Sequence, residues 1–120
     1  MSYIDFTEMP VWQDANKVIL QVYSVCSGLP KSEDYALSSQ LKRAALSIAA
    51  NIAEAFGRTH TKDKVNFYTY ARGSVFEVRN HLIIGRDLSF LNESDVNRID
   101  LLCREIIFSL NKIIKGLLST

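Results

Sequence analysis

The chain has 120 residues, 48% of them hydrophobic and 22% charged, which is the composition of an ordinary globular protein rather than a disordered one. Two cysteines are too few for a disulfide scaffold, no apolar run reaches the ~18 residues of a membrane span, and no secretory signal is evident in the N-terminal MSYIDFTEMP. We therefore expect one domain over residues 1–120, located in the cytoplasm, away from membranes and with reduced thiols.

Apolar residues recur with the helical period along the whole chain, and no segment alternates as a strand does. The first predicted helix runs from Glu8 to Ser27, with Thr7 as its N-cap and Pro10 in its first turn. The second predicted helix begins after Ser32, which is a suitable N-cap, and ends at Gly57.

The third predicted helix begins near Thr61 and continues to about Ser89. The fourth is capped by Asn92 or Ser94 and carries a long apolar seam. Because the connections are only a few residues long, neighbouring helices must run antiparallel. The sequence thus predicts an all-α, up-down-up-down antiparallel four-helix bundle.

The second predicted helix is apolar over about 240° of its circumference, whereas a helix that packs only against its own bundle needs an arc of about 100°. The additional arc is formed by Leu46, Ala49, Ala50 and Ala53. Small residues there would allow the close approach of a second copy, so we expect an oligomer interface. The alternative is that these alanines lie on a solvated face and serve only as good helix formers.

A polar stripe also runs along this helix, within an arc of about 80°, and consists of Arg43, Ser47, Asn51, Glu54 and Arg58. We expect Glu54 to pair with Arg58, four residues on, or with an arginine of an adjacent helix or subunit. A hydrogen-bond network between the second and third helices is predicted for Asn51, Glu54, Ser74 and Glu77. A catalytic cluster of the same four residues is the alternative.

The third predicted helix carries a column of arginines, Arg72, Arg79 and Arg86, spaced about 10.5 Å apart. It lies in the basic part of the chain, since residues 31–86 hold nine Lys/Arg and five Asp/Glu. Phe76 and Ile83 interleave with the column, a pattern that favours a phosphate backbone. The predicted nucleic-acid surface extends to Arg58, Lys62 and Lys64. The alternative is that the arginines are solvated or pair with carboxylates of a neighbouring helix or subunit.

The fourth predicted helix carries Leu101 and Phe108 away from its main seam, with Lys112 and Lys115 nearby. A second surface of this kind favours self-association over a monomer.

Residues for known catalytic chemistry are missing from the sequence. A di-iron bundle needs repeated Glu-x-x-His motifs, but Glu77 precedes His81 by four residues and no second pair exists. No phosphate loop or dinucleotide fingerprint occurs. Cys26 and Cys103 fall on apolar seams, where buried structural thiols are usual. We expect no metal, no cofactor and no enzymatic activity.

Three segments together resemble a known family. The longest lies in the second predicted helix and reads LPKSEDYALSSQLKRAALSIAANIAEAFGR, matching a pattern of Pro, Glu, Tyr and Leu followed by QL-x-RAA-x-SI-x-x-NIAE-x-x-GR. The others are VWQDA in the first helix and ARGSVFEV in the third. On these residues, nearly the whole chain resembles the four-helix bundle proteins encoded in intervening sequences of bacterial 23S rRNA genes, often labelled ribosomal-protein-like. Ala55 departs from the pattern, which usually has Gly there.

That family is similar in fold to the accessory proteins of diversity-generating retroelements, which are pentamers that bind nucleic acid and a reverse transcriptase. The resemblance implies a homo-oligomer, a homopentamer, with a basic surface for RNA or DNA and a protein partner as a further possibility. It does not imply an enzyme. Two interpretations stay open: a non-enzymatic oligomeric bundle that binds nucleic acid, and a structural or protein–protein interaction module whose arginines serve subunit contacts.

Overall fold

Four long helices account for most of the chain: α1 (Pro10–Cys26), α2 (Leu37–Gly57), α3 (Thr61–Asp87) and α4 (Glu93–Leu118). They belong to a computed structural model that describes residues 2–119, and no strand occurs within that range. Each helix packs against two others, in the closed order α1, α2, α3, α4 and back to α1. The short connections make each helix antiparallel to the next, so the predicted all-α four-helix bundle is confirmed.

The first helix begins two residues later than predicted. Residues Phe6–Glu8 instead form a separate 3₁₀ turn, and Asp5 caps that turn by accepting a hydrogen bond from the backbone N–H of Thr7. Helix α1 then starts at Pro10, whose fixed φ suits the first helical position. Thr7 is therefore not the N-cap of α1.

The second helix begins at Leu37, and the prediction that it starts after Ser32 is wrong. A 3₁₀ turn occupies Lys31–Glu33, and Ala36 has a non-helical backbone conformation that separates the turn from α2. The carboxylate of Glu33 accepts a hydrogen bond from the backbone N–H of Leu37 at 3.4 Å. A side chain outside the helix thus satisfies one of its free first-turn donors.

The third and fourth helices begin close to the predicted positions. Thr61 is the first residue of α3 rather than its cap, and α3 ends at Asp87. Ser89 then adopts a left-handed φ of 65° in the turn to α4. Of the two predicted caps for α4, Asn92 is the one used: its side-chain oxygen accepts from the backbone N–H of Asp95 at 2.7 Å.

Buried apolar side chains from all four helices meet along the bundle axis. Fully burying one such side chain stabilises the fold by roughly 1.5–3 kcal/mol. The largest fully buried side chains include Leu41, Ile48, Ile52, Leu82, Ile99, Ile106 and Leu110.

Both cysteines are buried free thiols, as their apolar positions predict. Burial, together with the charge of Asp100, raises the pKa of Cys103 to about 12. That thiol is therefore protonated at neutral pH and is not a nucleophile, since the thiolate is the reactive form.

Candidate nucleic-acid interface and assembly face

A carboxylate held between two arginines lies at the contact between α3 and α4. Arg79 donates from Nε to one oxygen of Asp100 at 2.7 Å, and Arg104 donates from Nε to the other at 2.8 Å. Burial would raise the pKa of Asp100, but the hydrogen bonds and charges of Arg104 and Arg79 outweigh it and lower that pKa. The Arg79 and Asp100 side chains are only 20% and 17% exposed, so this ion pair is also part of the packing.

The other two arginines of the predicted column also have partners within the chain. Arg72 donates to the side-chain oxygen of Asn111, on α4, at 2.8 Å. Arg86 donates to Asp87, its neighbour in the chain, at 3.2 and 3.3 Å. The alternative prediction was that the column arginines pair with carboxylates of a neighbouring helix. Arg79 does so, with Asp100 of α4. The predicted role of the column in nucleic-acid binding stays a prediction.

Two exposed phenyl rings accompany these cations. The guanidinium carbon of Arg79 lies 5.6 Å from the ring centroid of Phe76, and the Lys112 ammonium nitrogen lies 5.6 Å from that of Phe108. The rings remain 49% and 67% exposed, respectively. Each pair is close enough for a cation–π attraction of about 0.5–1 kcal/mol at an exposed site.

We call this surface the α3/α4 face. It is defined by Arg72, Phe76, Arg79 and Ile83 of α3 together with Asp100, Leu101, Arg104, Glu105, Phe108, Lys112 and Lys115 of α4. Five of these side chains are cationic and two are carboxylates, so the formal charge of the face is 5 − 2, or +3. The whole chain carries +1, so positive charge is concentrated on this face.

The basic residues at the connection between α2 and α3 are mostly engaged in local contacts. The ammonium group of Lys64 donates to two backbone carbonyls of the last turn of α2 at 3.1 Å each, which caps that helix. Arg58 pairs with Glu54 at 3.3 Å, as predicted, and lies 4.6 Å from the ring centroid of Phe67. Lys62 is exposed. This group lies at the end of the bundle where α2 ends and α3 begins.

The polar network between α2 and α3 has a different membership from the predicted one. The hydroxyl oxygens of Ser47 and Ser74 are 2.9 Å apart, and Asn51 donates to the backbone carbonyl and the hydroxyl of Ser47. Within residues 2–119, Glu54 and Glu77 make no hydrogen bond with these three residues. Both carboxylates are more than half exposed and pair with residues four positions on, at 3.3 and 4.0 Å.

The predicted interface on α2 divides into an exposed part and a buried part. Leu46 is 47% exposed, Ala50 is exposed and Ala53 is half-buried. Ala49, by contrast, belongs to the core of the bundle, since it lies one turn from core residues on either side. We call the exposed and half-buried residues of this group, Leu46, Ala50 and Ala53, the assembly face.

Within residues 2–119, no group of three or more His, Cys, Asp or Glu side chains could hold a metal ion. Over the same part of the chain, every helix is too short or too polar for a bilayer crossing. A shallow cavity of about 240 Å³ lies between the start of α1 and the end of α4, lined mainly by apolar side chains. It holds no pair of groups suited to acid–base chemistry.

The family described as 23S rRNA-intervening sequence protein matches residues 7–112. The chain belongs to this family. A similar solved structure is that of a protein of unknown function from the S23 ribosomal protein family of Bacteroides thetaiotaomicron, with a TM-score of 0.81 and 23% identity over 88% of this chain and 98% of the other. At this identity the likeness establishes the shared fold. No curated protein sequence matches the chain.

The sequence identified Leu101, Phe108, Lys112 and Lys115 as a surface of the fourth helix but did not link them to the arginines of α3, and Asp100 and Arg104 were missed. Asp100 and Arg104 are four residues apart, a spacing from which an ion pair within one helix can be predicted. The hydrogen bond from Arg79 to Asp100 cannot be predicted from the sequence, because it depends on how α3 is aligned against α4. Asn111, the partner of Arg72, was missed for the same reason.

Proposed function

We propose that the protein is a non-enzymatic, self-associating four-helix bundle that binds RNA or DNA through the α3/α4 face. The observation that carries the proposal is the concentration of five cationic side chains on one side of a chain whose net charge is only +1. Neutralising phosphates releases counterions, which is the main source of affinity in non-specific nucleic-acid binding.

The ion pairs with Asp100 are compatible with this role. Arg79 and Arg104 both contact the carboxylate through Nε. The terminal amino groups of both arginines make no hydrogen bond among residues 2–119. Because each guanidinium has five N–H donors, most donors of both arginines are available to phosphate oxygens.

Self-association is the second part of the proposal. Leu46 and Ala50 are exposed on α2, and Ala53 is half-buried on the same helix. Small residues allow the backbones of two helices to approach closely, so the assembly face suits a second copy of the chain. A ring of copies, five if the family resemblance holds, would multiply the α3/α4 faces and increase avidity without any new contact type.

The binding part is tested with a charge variant of the exposed lysines, Lys112→Gln/Lys115→Gln. Its matched control is Lys17→Gln/Lys31→Gln, which removes the same charge from exposed positions outside the face. Fluorescence anisotropy with a labelled RNA is measured between 50 and 200 mM salt. Losing two phosphate contacts should weaken binding on the order of tenfold and reduce the salt slope by about 1.5. The control should bind as the wild type does.

The assembly part is tested by light scattering. We expect the wild type to have a mass that is a multiple of 13.6 kDa at micromolar concentration, and Ala50→Arg to shift it toward the monomer. Ala50 is exposed in the isolated chain, so the substitution should leave helix content unchanged. A wild-type protein that is monomeric under these conditions would contradict this part.

A structural or protein–protein interaction module is the second candidate function. The observation in its favour is that Arg72, Arg79 and Arg86 all have partners within the chain. If wild-type protein binds no RNA or DNA even at 50 mM salt, this candidate replaces the first.

A further inference from the structure

The α3/α4 face combines charge with four exposed apolar side chains: Phe76, Ile83, Leu101 and Phe108. Single exposed apolar residues are normal on protein surfaces. Here, however, two phenyl rings are each paired with a cation, and both stand on the basic side of the molecule. Phosphate contacts alone require only the cations, so the rings need a separate explanation.

The two phenyl rings belong to the same stretch of the α3–α4 contact. Arg72 contacts Asn111 and Arg79 contacts Asp100, so α3 residues 72–79 lie alongside α4 residues 100–111. Phe76 falls within the first interval and Phe108 within the second. The spacing of Arg72, Phe76 and Arg79 is i, i+4, i+7, which places them on one side of α3.

The same spacing rule applies on α4. Arg104, Phe108 and Lys112 are each four residues apart and share one side of that helix. Both rings are therefore flanked along their own helix by cations in the adjacent turns. Aromatic platforms alternating with cations are the arrangement with which proteins bind single strands, the bases stacking on the rings and the phosphates meeting the cations.

A duplex offers little to such a surface, because its base faces are stacked inside and only phosphates and groove edges are presented. An unpaired strand exposes the π-face of every base. Stacking on an aromatic side chain contributes about 1–3 kcal/mol per base and tolerates any sequence. The charge of the face, +3, suits the phosphates of either form, and the two exposed rings favour the single strand.

We propose that the α3/α4 face binds single-stranded nucleic acid, with one base stacked on Phe76, another on Phe108, and the intervening phosphates bound by Arg104 and the Nη groups of Arg79. This inference rests on the proposed nucleic-acid function and specifies the form of its ligand.

The test compares three labelled probes of equal length: an unstructured 12-nucleotide RNA, the same RNA in a duplex, and a strand of 12 abasic nucleotides. The variants are Phe76→Leu and Phe108→Leu, which keep an apolar side chain at an exposed helical position. The control is Tyr35→Leu, which removes a ring that is 97% exposed and outside the face. Wild-type protein should prefer the unstructured strand. Each Phe variant should bind it about fivefold or more weakly, the lower end of the stacking range.

The abasic probe separates stacking from charge. It carries the phosphates without the bases, so wild type and both Phe variants should bind it equally. If the Phe variants lose nothing on the unstructured RNA, or if the duplex binds better than the single strand, the stacking inference is overturned while the proposed function stands. If no probe binds at 50 mM salt, both fail. If the Phe variants lower the oligomer mass in light scattering, the rings belong to an interface between copies and the inference is again overturned.

Discussion

Replacing Asp100 by Asn should lower stability and yet tighten nucleic-acid binding. The carboxylate is 17% exposed and accepts hydrogen bonds from Arg79 and Arg104. Breaking a fully buried pair costs about 3–5 kcal/mol, whereas an exposed pair contributes about 0–1 kcal/mol. This site is intermediate, and the Asn side chain keeps one oxygen that can accept from a guanidinium. We therefore expect a loss of about 1–2 kcal/mol, which lowers the Tm of a domain of this size by roughly 4–10 °C.

The effect on binding has the opposite sign. The substitution changes the charge of the α3/α4 face from +3 to +4, because one of its two carboxylates is lost. It also releases Arg79 and Arg104 from their anionic partner. One additional phosphate contact should increase affinity about fivefold near 100 mM salt and steepen the salt slope by about 0.7–0.9.

The measurements are thermal unfolding by circular dichroism and anisotropy titrations with RNA at several salt concentrations. Asp95→Asn is the matched control, because Asp95 is also an α4 carboxylate that accepts from an arginine, Arg98, at 2.9 Å, but is outside the face. The control should not tighten binding. If Asp100→Asn instead weakens binding in step with its loss of stability, the α3/α4 face is not where nucleic acid binds, and the reasoning is refuted.

Three further predictions concern pH, glycines and thiols. The pKa of Asp100 in the folded protein lies below its ordinary value of 3.8, so the stability that its ionised form contributes is complete above pH 3.8. That stability is lost as the pH falls through the lowered pKa, and the melting temperatures of wild type and Asp100→Asn should therefore converge in acid. Gly73→Ala and Gly116→Ala both add a methyl group in open space. Because glycine destabilises a helix by about 1 kcal/mol relative to alanine, both substitutions should raise the Tm at low concentration. Neither substitution is on the assembly face, so the mass seen by light scattering should stay the same in both variants, and a lower mass for either would contradict the placement of that face on α2. Cys26 and Cys103 should react with a disulfide reagent at pH 8 only after unfolding, because both are buried and their pKa values are raised.

The fold was predictable because helical periodicity is a property of each segment alone. The seam of α4 and the core residues of α3 follow directly from the 3.6-residue repeat. Helix starts were less predictable, since they depend on backbone geometry and on side chains outside the helix. Glu33 capping Leu37 is such a case: the acceptor lies four residues before the helix and beyond a residue with irregular backbone dihedrals.

The candidate site was predicted only in part, because it depends on contacts between helices. Counting charge along the chain assigned residues 31–86 to the basic part and left α4 in the acidic remainder. The bundle topology, however, places Arg104, Lys112 and Lys115 beside the arginines of α3. The direction in which each side chain leaves its helix was also decisive. Ala49 and Ala50 are adjacent in sequence, yet one lies in the core and the other is exposed.

The contacts of Asp100 explain why a basic face retains this carboxylate. Without it, Arg79 would be a largely buried cation with no anionic partner, since its side chain is 20% exposed. With it, Arg79 and Arg104 donate from Nε to a carboxylate at 2.7 and 2.8 Å, which offsets the cost of burying the Arg79 charge. The same carboxylate lowers the charge of the face by one unit and competes with phosphate for the two guanidinium groups. Stability and binding therefore make opposite demands on residue 100, which is why its substitution separates the two.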